Sequence, residues 1–203
     1  MKPRSGKVWV ESARVAQPAE LLRRLASPVA AAAPSSARPQ PGRQTHCGDL
    51  GIRIARDGTW FYHGSPIHRK PLVRLFSTVL RRDEAGDFLL ETPAERGRIV
   101  VDDAPFVAVA VEADGTGEAR TLTFTTNVDD RVRADREHPI RVVEDQFTGE
   151  PAPYVMVRDG LEARIARAVF YELVDYGVPV VAPGGPRLGL WSAGVRFDLG
   201  ALE

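Results

Sequence analysis

Thr59–Lys70, TWFYHGSPIHRK, gathers more chemically versatile side chains than any other stretch of the chain. Three aromatics run into a Gly-Ser-Pro corner, followed by His68, Arg69 and Lys70. From Trp60 to Arg82 there are five cations (Arg69, Lys70, Arg74, Arg81, Arg82) and no carboxylate. Arg69 and Lys70 fall where a helix should begin, and cations there oppose the helix dipole. A bound phosphate or carboxylate would relieve that cost, as would an acidic side chain from elsewhere in the fold. Trp60 and Tyr62 share one face of a strand and Phe61 the other, so the pair could stack a base or sugar, or simply fill a core.

Other groups are weaker candidates. His63 and His68 have no third ligand nearby, and Cys47 and His46 would have to come from elsewhere, so no metal is expected. Asp102-Asp103 and Asp129-Asp130 could hold a divalent cation over a phosphorylated substrate, or could make turns at strand ends. Gly189–Gly194 has one residue too many before Ser192 for a nucleophile elbow. Asp114-Gly-Thr-Gly117 lacks a third glycine and a following helix, so it reads as a turn rather than a dinucleotide loop. No cofactor is expected.

The elements that would position these groups alternate along the chain. Leu50–Ala55 and Trp60–His63 read as strands joined by a hairpin turn at Arg56-Asp-Gly-Thr59. Lys70–Arg82 has helical spacing, with Leu72, Leu75, Phe76 and Val79 on one stripe and Pro71 at the first position. Strands are expected at 87–91, 98–101, 106–111, 121–126, 140–144 and 154–157. Leu161–Tyr176 reads as a second helix, with Leu161, Ile165, Val169, Leu173 and Tyr176 on one face and Arg164, Arg167, Tyr171 and Asp175 on another. Gly177 stands where a left-handed cap belongs. Leu188–Ser192 and Val195–Leu199 form a closing hairpin. Tyr62, Gly64 and Phe76 echo Tyr154, Gly160 and Phe170. The expected fold class is therefore α+β, built of two small similar units that point to a duplication, with a ligand between them.

Composition sets the frame. The 203 residues carry a formal net charge of +0, so no global field recruits nucleic acid or membrane. Residues 1–45 hold eight Lys/Arg and two Asp/Glu, a net of +6, leaving −6 on the rest. They also hold six prolines and nine alanines. They read as a weakly ordered extension, with one short helix at 19–26 and a linker at 27–43. The domains are then 1–45, 46–118 and 119–203. The single cysteine excludes an intrachain disulfide and fits a cytoplasmic protein.

The phrases GTWFYHGSPI, DDAPF, TNVDD and ARAVFY occur in that order between Cys47 and Gly177. With LGLWSAGVRFDLG (Leu188–Gly200), they make residues 46–200 resemble the bacterial family called domain of unknown function 1285. That resemblance implies a duplicated α+β fold whose second half is like a pleckstrin-homology-type barrel. It further implies a nucleotide-like ligand at the domain interface, in signalling or stress response, and defines no catalytic residues. The polar RPQPGRQTH ahead of Cys47 departs from the family's apolar segment.

The leading expectation is a non-enzymatic binder of a nucleotide-like or other anionic ligand. Trp60, Tyr62, Arg69 and Lys70 would serve from one half, and Asn127, Tyr154 and Arg164 from the other. The alternatives are a protein-interaction module with a protein partner, and a metal-dependent phosphoesterase using the two Asp pairs. No membrane and no specific nucleic acid is expected as a partner.

Overall fold

Alternating burial, rather than helical stripes, organises this chain. The computed structural model describes residues 45–93, 95–145 and 148–202, all within one compact unit. The short helix, linker and weakly ordered extension expected over 1–43 lie outside the described residues.

The first sheet contains β1 (Thr45–Ile54), β2 (Trp60–Tyr62), β3 (Ser65–Pro66), β4 (Leu80–Arg82), β5 (Phe88–Glu91) and β6 (Glu95–Val101). Helix α1 (Lys70–Thr78) connects β3 to β4. The second sheet contains β7 (Phe106–Asp114), β8 (Thr121–Thr126), β9 (Arg131–Arg133), β10 (Ile140–Glu144), β11 (Pro151–Arg158) and β12 (Leu161–Ile165). Helix α2 (Arg167–Tyr176) then leads to a third sheet of β13 (Val178–Ala182), β14 (Gly185–Ser192) and β15 (Val195–Ala201).

The spatial orders are β3-β2-β1-β6-β5-β4 and β10-β11-β12-β7-β8-β9. Each large sheet is thus two three-stranded meanders whose first and last strands pair in parallel, β1 with β6 and β7 with β12. The helix falls between the two meanders of the first sheet and after β12 in the second.

This corrects the expected fold class. The protein is β-rich, with two α-helices among the described residues, and is not a pair of balanced α+β units. One of the three sheets is a half-barrel, and the end strands of the second, β10 and β9, do not pair with each other.

Both helices are shorter than their stripes suggest. The stretch 161–165 is strand β12, with Leu161, Ala163 and Ile165 buried alternately. A four-residue spacing such as Leu161–Ile165 fits a period of 2 as well as one of 3.6, so the stripe misleads there. Helix α1 stops at Thr78, where Ser77 Oγ and Thr78 Oγ1 donate back to the carbonyls of Arg74 and Leu75. Such bonds compete with helix continuation. Leu80 then pairs with Leu90 as part of β4. Gly177 is extended (φ −68°, ψ 154°) rather than left-handed. Its lack of a Cβ serves packing instead, since one there would lie 2.7 Å from Leu188 Cδ1.

The β1–β2 hairpin forms as expected, with Ile54 opposite Trp60 and Ile52 opposite Tyr62. Thr59 N–H donates to Asp57 Oδ1 at 2.9 Å within the turn. Gly58 has φ +83°, and a Cβ on it would lie 2.6 Å from Asn127 Nδ2. The turn therefore needs glycine both for its backbone angle and for the close approach of the second sheet's loop.

Candidate functional site

Asp103 lies between β6 and β7, at the crossing from the first sheet to the second, and three side chains converge on it. Tyr154 donates its hydroxyl to Asp103 Oδ1 at 2.7 Å. Arg164 Nη1 donates to Oδ2 at 2.5 Å, and Arg56 Nε lies 3.3 Å from the same oxygen. Arg56 also bonds Asp145 through Nη2, and Arg164 Nη2 stands 3.7 Å from Asp145. The Asp145 side chain is 5% exposed. Two carboxylates and two guanidiniums thus form a closed network with a tyrosine donor.

Local structure explains the convergence. Tyr154 on β11 stands directly opposite Arg164 on β12, so both side chains rise from the same face. Arg56 comes from the β1–β2 turn. Asp145 follows β10, and its carboxylate accepts from Thr148 N–H at 3.2 Å.

Burial opposes the ionisation of Asp103. The Tyr154 hydroxyl and the Arg164 and Arg56 guanidiniums prevail, holding its pKa below the usual carboxylate value. Burial, with the bond to Asp103, pushes the Tyr154 hydroxyl up. Arg141 covers a face of the Tyr154 ring at 4.4 Å, and Arg164 lies 5.8 Å from its centroid. The ring is already occupied as a cation-π partner.

Beside the network opens a cavity of about 260 Å³, lined by Arg56, Asp102, Asp103, Glu144, Asp145 and Tyr154, with Val143 and Ala152. Asp102 pairs with Arg53. Glu144 has no cationic partner among the described residues. Among the described residues, four carboxylates thus meet three guanidiniums, those of Arg53, Arg56 and Arg164, an excess of one carboxylate.

The other sequence-expected residues lie elsewhere. Trp60 and Tyr62 are 1% and 7% exposed and belong to the core, where Trp60 stacks on Phe76 at 6.1 Å. Arg69 is exposed at the start of α1. Lys70 Nζ donates to Asp129 Oδ1 at 2.7 Å and Arg74 Nη1 to Oδ2 at 3.3 Å, so a loop of the second sheet supplies the anion there. Asn127 is a fastener. Its Oδ1 accepts from Val107 N–H at 3.0 Å, and its Nδ2 donates to the Gly58 carbonyl at 3.2 Å. Asp130 pairs with Arg158. All four carboxylates of the two Asp pairs thus hold cationic side chains, and no cluster of three metal-ligating groups occurs among the described residues.

Two family models match in succession. Residues 41–104 match the domain of unknown function (DUF1285), N-terminal domain, and residues 105–199 match the protein of unknown function (DUF1285), C-terminal domain. The chain belongs to the DUF1285 family.

A crystal structure of a DUF1285 family protein from Silicibacter pomeroyi is 51% identical, covering 84% of this chain and 92% of that one at a TM-score of 0.73. A second, from Shewanella baltica, is 22% identical with a TM-score of 0.50, covering 63% of this chain and 92% of that one, and is similar in fold. No curated protein matches the chain. The two DUF1285 domain models meet at the Ala104–Pro105 junction, beside Asp103. The acidic cavity therefore draws its walls from both domains.

Arg56 and Asp145 were not legible as site residues. Arg56 looks like an ordinary hairpin-turn cation, and the signal for Asp145 is only an aspartate after a strand and before Thr148-Gly149.

Proposed function

We propose that this DUF1285 protein is a non-enzymatic binder of a compact ligand, held in the cavity between its two family domains. The supporting observation is the composition of the walls: Arg56, Asp102 and Asp103 from one domain, Glu144, Asp145 and Tyr154 from the other. A cavity of about 260 Å³ is smaller than the 300–1,000 Å³ usual for drug-sized ligands, which disfavours a whole nucleotide. The acidic balance favours a ligand presenting a cationic nitrogen, an ammonium or guanidinium, to Glu144 and Asp102. Proton-transfer catalysis works best with a group titrating near neutrality. Asp103 is shifted down and Tyr154 up, both away from it.

An anionic ligand has its best support at the start of α1. Lys70 and Arg74 there share the carboxylate of Asp129, and Arg69 is exposed at the same helix start. A cytoplasmic signalling role is compatible with either ligand. Thermal denaturation of the full chain against amines, guanidinium compounds, nucleotides, second messengers and sugar phosphates separates the two. A shift from amines that Glu144→Gln abolishes supports the cavity. A shift from phosphates that Arg69→Ala with Lys70→Ala abolishes supports the helix start.

A further inference from the structure

Two cavities meet at the end of β10. The acidic one, of about 260 Å³, shares Val143 and Glu144 with a second of about 580 Å³, which lies against β10 and β15. The larger volume falls within the 300–1,000 Å³ usual for small-molecule sites.

Its walls differ in kind from those of the acidic cavity. Val142, Val143, Pro151 and Leu199 give it apolar surface. Its other charges are answered in place, Arg141 by Glu162 at 2.5 Å and Arg187 by Asp198 at 2.5 Å. Glu144 is different. It stands where the two cavities join, is exposed, and has no cationic partner among the described residues. Gly149 has no side chain to cover it, and a Cβ there would lie 3.7 Å from Glu144 Oε1. An apolar surface thus opens directly from an unmatched carboxylate.

We propose that the ligand of this protein is an amphipathic amine, with its ammonium group on Glu144 and its apolar portion in the larger cavity, over Val142, Val143, Pro151 and Leu199. This rests on the reading of the acidic cavity as a cation site and adds the chemistry of the rest of the ligand. A charge-assisted hydrogen bond to the carboxylate fixes the head. Removal of apolar surface from water holds the tail. The contacts are with side chains, so no main-chain pairing along β10 is involved.

Calorimetric titration of the full chain at pH 7 with ethylamine, butylamine and hexylamine tests this, with hexanoate as the comparison of opposite charge. A fully buried methylene raises affinity about fourfold. On an open groove about twofold for each is expected, on the order of tenfold from ethylamine to hexylamine. Hexanoate should not bind. Glu144→Gln should weaken all three amines. Val142→Asn should flatten the rise with chain length, whereas Val142→Ile should keep it. Amines that bind equally well whatever their length would overturn the amphipathic ligand and leave the cation site standing. No binding of any amine, or binding undiminished in Glu144→Gln, would overturn both. Hexanoate bound as tightly as hexylamine would overturn the placement of the head on Glu144.

Discussion

Tyr154 donates its hydroxyl proton to Asp103 Oδ1 at 2.7 Å, joining residues 51 positions apart and from different domains of the DUF1285 family. The bond holds Asp103 ionised, together with Arg164 and Arg56. It also fixes the wall of the acidic cavity.

A carboxylate whose folded pKa is depressed adds stability above its unfolded value, near 3.9, and loses it as pH falls through the folded value. Asp103→Asn should therefore flatten the acid limb of the stability curve below about pH 4. Urea denaturation between pH 7 and pH 2.5 checks this. An acid limb identical to that of the unmutated chain would remove Asp103 from the account.

Arg164 is the guanidinium that reaches both Asp103 and Asp145. Replacing it by methionine removes one of the two guanidiniums that hold Asp103 and Asp145, with Arg56 remaining, at an expected cost of about 1–3 kcal/mol. The midpoint of urea denaturation at pH 7 reads this directly. A cost below about 1 kcal/mol would place the pair with ordinary surface bridges.

Asn127 and Gly58 should be coupled. Asn127→Ala leaves Val107 N–H and the Gly58 carbonyl unpaired, for about 1–3 kcal/mol. Gly58→Ala puts a Cβ against Asn127 Nδ2 at a left-handed position and should cost more. In the double variant the steric part is relieved, so the two losses should sum to more than the loss measured together. Strict additivity would show that the two residues do not meet.

Trp60 carries an indole N–H with no hydrogen-bond partner among the described residues, although the ring is buried. Trp60→Phe removes that unsatisfied donor while keeping most of the apolar surface. It should cost less than about 2 kcal/mol, against about 3–5 for Trp60→Ala.

These relationships show what was legible beforehand and what was not. The hairpin at Arg56–Thr59 and strand β8 follow from local signals, because turn chemistry and two-residue alternation act between neighbours. The second half of the Leu161–Tyr176 stretch is helical, but its start is not, since Leu161 and Ile165 satisfy both periods. The pairing of β1 with β6 and of β7 with β12 is parallel and long-range, and no local pattern encodes it. Of the expected site residues, Tyr154 and Arg164 do meet. They do so across two strands, not between a strand and a helix as their neighbours' periodicity implied. Trp60 and Tyr62 share a face as alternation requires, but that face is the core, and alternation alone does not say which side is wet. Asp129 answers the cations at the start of α1, a solution that depends on tertiary packing.

The most direct test of the central reading is calorimetric titration of the full chain with agmatine and spermidine, with AMP as the anionic comparison, at pH 7 and low salt. The cavity between the family domains predicts saturable binding of at least one of the two amines, lost in Glu144→Gln and in Asp102→Asn. Binding of AMP alone, or amine binding that both variants retain, would contradict it.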